Sequence, residues 1–187
     1  YFVERTYAIF TSQDLLHWDL LQKFDLPGDD ECPDLYPLTA DDGRTLWVYS
    51  GAHDMYFVGD FDENGLYQPI QSVGQLSYNS QSYAAQTYYY EPGKPVIRFA
   101  WNRSDIPGAP FNGSMCTPTE MTLKKHGDRY YLSALPIKST ENLVVKSDKL
   151  DDFTLTHCTH ELGSKTCRIS FTVKEGNLTC SLYGLEM

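Results

Sequence analysis

The sequence predicts an all-β chain, and three observations carry that prediction. Short segments rich in β-branched and aromatic residues recur along it, and clusters of Gly, Pro, Asn and Asp separate them. No window sustains the i, i+3, i+4, i+7 apolar period of an amphipathic helix. Aromatic residues make up 14 % of the 187 positions, which suits a pleated, half-buried surface. The same richness suits carbohydrate binding, where flat rings cover the apolar faces of sugars, and composition alone does not separate the two. Several short strands with few helices mean a sandwich, a barrel or a propeller.

In chain order, the predicted strands are "TYAIFTS" (6–12), "TLWVYSG" (45–51), "DMYFVGDF" (54–61), "YAAQTYYY" (83–90), "PVIRFAWN" (95–102), "MTLKK" (121–125) and "RYYLSAL" (129–135). Turn clusters punctuate them: "DLPGDDECPD", "ADDGR", "DENG", "EPGKP" and "IPGAPFNG". Only "SQDLLHW" (12–18) predicts a short helical turn. Composition shifts near "LSALPIKSTENL" (132–143), and beyond it "NLVVKS" (142–147), "DFTLTHC" (152–158), "CRISFTV" (167–173) and "NLTCSLYGL" (177–185) alternate like sandwich strands. The boundary therefore falls between 1–137 and 138–187, and the second stretch is short for an ordinary β-sandwich of roughly 100 residues. The first residues already read as strand, so the chain is expected to begin inside a domain.

Charge narrows the partners. With 25 acids against 15 bases the formal net charge is −10, which argues against nucleic acid and against an anionic membrane surface. No apolar run approaches the roughly 20 residues of a spanning helix. The five cysteines are Cys32, Cys116, Cys158, Cys167 and Cys180; none has C-x-x-C spacing, and free thiols are the expectation. The five histidines form no H-E-x-x-H pattern, and His157-x-x-His160 lies in strand-like sequence, so no metal and no cofactor is predicted. P-loop, G-x-G-x-x-G and G-x-S-x-G motifs do not occur. Localisation stays open, with cytoplasmic ahead of secreted.

Two acidic stretches compete for attention. In "DDECPDLYPL" (29–38), Pro33 fixes its own φ and biases Cys32 toward an extended conformation, so Glu31 sits on a stiff backbone. An acid flanked by acids and partly desolvated can serve as a proton donor. Spacing alone still favours a solvated acidic turn. In "HDMYFVGDFDENG", Asp54, Asp60 and Asp62 alternate around a strand, and Asp60, Asp62 and Glu63 with Asn64-Gly65 read as a hairpin turn.

Four ordered stretches resemble glycoside hydrolase family 32, the β-fructofuranosidases. They are "YAIFTSQDLLHWDLL" (7–21), "ECPDLYPL" (31–38), "DMYFVGDFD" (54–62), and the set "SYAAQTY" (82–88), "VIRFAWN" (96–102) and "FNGSMCTPTEMTL" (111–123). The resemblance implies a five-bladed β-propeller followed by a β-sandwich. Residues 1–137 would be the later blades and 138–187 the start of the sandwich. It implies Glu31 as general acid/base, with Cys32, Asp34, Tyr83 and Trp101 binding substrate and Ala84 beside the sugar pocket. The partner it implies is a carbohydrate: sucrose, a fructo-oligosaccharide or a fructan.

The departures are equally specific. The family's Asn-Asp-Pro-Asn and Arg-Asp-Pro motifs, which hold its nucleophile and a stabilising Asp, are not in this sequence and would precede Tyr1. Ser77-Tyr78-Asn79 stands where the family usually has Asp-Tyr-Gly, and Ser77 supplies no carboxylate. The isolated chain is therefore expected to be inactive, with self-association through open propeller edges. The other reading is a non-catalytic carbohydrate-binding or interaction module on the same scaffold.

Overall fold

Alternation explains which segments become strands. The computed structural model describes residues 6–78, 80–88 and 93–149, together with 169–170, 172–176, 181–182 and 185–186. The first strands are β1 (Tyr7–Thr11) and β2 (Asp19–Phe24), which form an antiparallel hairpin with a register shift after Ile9. Next come β3 (Asp34–Thr39), β4 (Thr45–Ser50), β5 (Met55–Phe61), β6 (Tyr67–Pro69) and β7 (Gly74–Gln75). They make one antiparallel sheet in the order β3-β4-β5-β6, with β7 also paired to β5.

A second five-stranded sheet follows: β8 (Ser82–Tyr88), β9 (Val96–Asn102), β10 (Ser114–Met115), β11 (Thr119–His126) and β12 (Arg129–Pro136). Here β9 pairs with β8, β10 and β11, and β11 pairs with β12 along its whole length. A 3-10 helix, Lys138–Leu143, comes next. Chain contacts divide the protein into Tyr1–Val145 and Lys146–Met187. In the latter the described strands are β13 (Ser181–Leu182) and β14 (Leu185–Glu186), an antiparallel pair.

The β3–β7 sheet is buried on both faces, which is why its strands read as continuous apolar runs. One set of side chains (Tyr36, Leu38, Leu46, Val48, Tyr56, Val58) packs against Val96, Met121, Leu123 and Tyr130 of the β8–β12 sheet. The alternate set (Leu35, Trp47, Tyr49, Phe57) joins Tyr7, Ile9 and Phe24 of the hairpin. Tyr67, fully buried, fills the second interface and donates from its hydroxyl to the Trp47 carbonyl, so its polar end is satisfied. A parallel bridge between Ala40 and Leu123 ties the two sheets at one end.

Three local expectations need correction. The stretch 12–18 is not a helical turn. Ser12 Oγ accepts from the Leu15 amide, and Asp14 Oδ1 accepts from the Leu16 and His17 amides, each at 2.8 Å. Those side chains take the N–H groups a helix would use. "NLVVKS" is not a strand: its first two residues end the 3-10 helix and the rest is irregular. β3 was hidden in the acidic motif by Pro37, which the fold accepts because β3 is an edge strand and needs no donor there. The hairpin turn at Asp62–Gly65 forms as expected, with Asp62 Oδ1 accepting from the Asn64 and Leu66 amides at 2.9 Å. The predicted strand "DFTLTHC", most of "CRISFTV" and "NLTCSLYGL", His157, His160 and Asn79 lie outside the described residues.

Candidate active site

Three chain segments meet at one corner of the first unit: residues 29–34 entering β3, residues 51–54 joining β4 to β5, and the start of β8. Each contains a non-glycine residue in the left-handed region, at Cys32 (φ 47°), Asp54 (φ 63°) and Ala84 (φ 51°). Such conformations cost about 1–2 kcal/mol per residue and persist only where surrounding contacts impose them. Cys32 is thus not extended, as its place before proline implied. The Glu31 carbonyl accepts from the Tyr7 hydroxyl at 2.8 Å and the Ala52 amide at 2.9 Å. The Cys32 carbonyl accepts from Gln86 Nε2 at 3.3 Å. These long-range bonds override the local preference.

Ala52 clasps the corner together. Its N–H serves Glu31, while its carbonyl accepts from the Ala84 amide at 2.9 Å, at a bulge in β8 between Tyr83 and Gln86. Beside it, Gly51 is required by space: a Cβ there would lie 2.4 Å from Asp29 Cγ and 2.6 Å from the Tyr7 hydroxyl. The Asp29 side chain is wholly buried. Its Oδ2 accepts from the His53 amide at 2.7 Å, and its Oδ1 meets His53 Nδ1 at 3.1 Å.

On this frame the Glu31 side chain is exposed, and one of its oxygens accepts a hydrogen bond from the Tyr83 hydroxyl. That bond, with burial and the Glu31 charge, pushes the Tyr83 phenol up to about 12. Tyr83 therefore remains a donor across the physiological range. Its ring lies under the Arg103 guanidinium, with Arg103 Cζ 3.9 Å from the ring centroid. Trp101 approaches it edge-on at 6.3 Å and His53 at 4.9 Å. Trp101 is 47 % exposed, and Gly113 closes on its indole so tightly that a Cβ would sit 2.4 Å from Nε1. The corner thus offers a carboxyl group fixed by its main chain, a phenol donor and an exposed indole, which is the equipment for proton transfer to a polyhydroxylated ligand.

The other carboxylates have different tasks. Asp34 Oδ2 accepts from the Thr87 amide at 2.6 Å, tying β3 to β8. Burial pushes its carboxyl up, and the Thr87 contact draws it partly back. Asp54 is 4 % exposed and receives Arg98 Nη2 on both oxygens, at 2.6 and 2.8 Å. Arg98 also reaches Ser82 Oγ at 2.8 Å. Ser77 lines a cleft of about 410 Å3 with Asp54, Arg98, Thr119 and Ser133. Glu31, Cys32, Tyr83 and Trp101 are therefore brought together, with Asp34 two residues past Cys32. Sequence reasoning missed His53, Asp29, Arg103 and the Asp54–Arg98 pair. Their partners are too distant in sequence for any spacing to flag. Among the described residues no group of three or more His, Cys, Asp or Glu side chains could hold a metal ion, and no helix is long and apolar enough to cross a membrane.

Comparison with known proteins meets this geometry. The model of the glycosyl hydrolases family 32 N-terminal domain matches residues 3–134. A fructan beta-fructosidase of Streptococcus mutans is 28 % identical over 162 residues, covering 72 % of this chain and 11 % of the relative. A levanbiose-producing levanase of Bacillus subtilis is 26 % identical over 186 residues, covering 87 % and 35 %. The chain thus spans about a tenth to a third of these relatives. Among solved structures, exo-inulinase from Aspergillus awamori superposes with a TM-score of 0.63 at 24 % identity, covering 74 % of this chain and 32 % of that one. Fructan 1-exohydrolase IIa from Cichorium intybus gives 0.58 at 17 % identity, covering 75 % and 32 %. At those identities the likeness is one of fold.

Proposed function

The chain belongs to glycosyl hydrolase family 32, through that family's N-terminal domain, and we propose that it supplies the acid/base half of a retaining β-fructofuranosidase site. The observation that carries this reading is Glu31: its carbonyl is pinned by Tyr7 and Ala52 and that of Cys32 by Gln86, while its carboxyl group is exposed against Tyr83. In the reaction, Glu31 delivers its proton to the glycosidic oxygen as the bond to the fructosyl carbon breaks. A second carboxylate takes that carbon, and the deprotonated Glu31 then activates water to release fructose. Tyr83 donates to the charged form of Glu31 and Trp101 stacks on the sugar, with Cys32 and Asp34 shaping the loop behind them.

The nucleophile, in this reading, comes from outside these 187 residues, since the sequence does not hold the Asn-Asp-Pro-Asn motif that carries it in the family. In this reading the hairpin and the two sheets are later blades of a five-bladed propeller, and residues 138–187 open a β-sandwich. The substrate is a neutral fructoside: sucrose, a fructo-oligosaccharide or a fructan. Unpaired edges of an incomplete propeller would drive the isolated chain to self-associate.

The test uses a longer polypeptide that contains this chain. Glu31→Gln should lower turnover of sucrose by about 10²–10⁴-fold, the range of general acid–base catalysis. With fructosyl fluoride, whose leaving group needs no proton, the first turnover should keep its speed. Equal loss in the first turnover of both substrates overturns the acid role. The 187-residue chain alone should release no fructose, and robust release would place a nucleophile within it.

A further inference from the structure

His53 has no part in the acid/base step, yet it is the most deliberately oriented side chain at the corner. Its backbone N–H and its ring Nδ1 both meet the carboxylate of Asp29, and that side chain is wholly buried. A buried carboxylate without a fixed cation selects the tautomer that donates to it, so the network places the proton on Nδ1. In the neutral ring Nε2 then carries the lone pair, and it has no protein partner among the described residues. The side chain is 47 % exposed, and its ring stands edge-on to Tyr83 at 4.9 Å, the residue whose hydroxyl meets Glu31.

Packing alone does not account for this arrangement. A ring needed only to wedge Tyr83 would not require a buried acid beneath it, nor Gly51 held bare of a side chain so that the acid fits. A fixed acceptor beside a proton donor is the means by which a site reads hydroxyl groups. We propose that His53, oriented by Asp29, is a substrate-binding residue whose Nε2 accepts a hydroxyl proton of the fructoside held against Glu31. This rests on the reading of Glu31 as the acid/base, and it adds a polar contact that positions the sugar rather than a group that transfers a proton.

The test is side-chain nitrogen NMR on the full 187-residue chain. In the neutral form of the ring and without ligand, His53 should show a protonated Nδ1 and a bare Nε2. Titration with sucrose into the high millimolar range should move Nε2 toward the shift of a hydrogen-bonded acceptor and leave Nδ1 in place. His53→Phe keeps the ring edge against Tyr83 but has no acceptor, so sucrose binding should weaken about fivefold, the worth of one neutral hydrogen bond. An Nε2 that does not respond to sucrose overturns the proposal, as does a Phe variant that binds unchanged. If the variant fails to fold, the Nε2 response of the parent chain still decides. Glu31→Gln should leave the Nε2 response intact, so loss of the acid role and loss of this contact are read separately.

Discussion

Two acids at one corner of this protein do opposite things with their carboxylates. Glu31 and Asp54 each neighbour a left-handed residue or are one, and each lies on a segment bonded to another loop. At the first, the main chain takes the contacts and the side chain faces solvent and Tyr83. At the second, the side chain itself is the contact, buried against Arg98 on both oxygens. The difference teaches that a carboxylate stays available when its backbone is held by others, and becomes a strut when it does the holding.

The sharpest way to break the comparison is to remove the strut. Asp54→Ala leaves Arg98 buried with an uncompensated charge, and breaking such a pair costs about 3–5 kcal/mol. Ala also tolerates a φ of 63° less well than Asp. The urea midpoint should fall accordingly, and an unchanged midpoint would mean the pair is not structural. Gly51→Ala should cost less, about 1–3 kcal/mol, the usual range for overpacking. Because the added methyl meets Asp29 and Tyr7 together, heteronuclear NMR should show shifts at both Glu31 and His53.

At Glu31 the expected stability effects are small. Tyr83→Phe should change stability by no more than about 0.5 kcal/mol, as surface substitutions do. In a longer, active polypeptide it should instead move the pH limb of turnover that reports Glu31. A large stability loss with an unmoved limb would make Tyr83 a strut too.

The smallest effect concerns Asp34. Its carboxyl is raised by burial above the ordinary 3.8. Its contribution to stability is therefore complete below that value and is lost as pH rises through the raised one. Asp34→Asn keeps an acceptor for Thr87 but removes the titration, so urea midpoints measured from acid to neutral pH should lose that downward slope.

Much of this was legible from local sequence. β4 and β5 declared themselves through β-branched and aromatic runs because their sheet is covered on both faces, and β9, β11 and β12 through the residues of the one face they bury. β3 did not, since Pro37 and the preceding acids look like a turn until an edge position makes the proline harmless. Glu31 is singled out by an ordered set of motifs rather than by its own spacing, which favours a solvated turn. Cys32 shows why local rules stop short: its preference before proline is extended, but Tyr7, Ala52 and Gln86 hold the flanking carbonyls and turn it left-handed. His53 and Asp29 are 24 positions apart, and Asp54 and Arg98 44 apart. Such pairings are products of the fold, and no short window records them.

The bulge in β8 has a consequence of parity. Side chains on a strand alternate, so residues three apart point to opposite faces. Tyr83 and Gln86 are three apart, yet they stand opposite Trp101 and Phe99, two residues that share a face of β9. The one extra residue shifts an odd interval to an even one, and so both side chains reach the acid loop, Tyr83 at Glu31 and Gln86 behind Cys32. Laid down in simple alternation with no bulge, the same residues would turn one of the two away. The backbone irregularity at Ala84 is what keeps Tyr83 and Gln86 on one face.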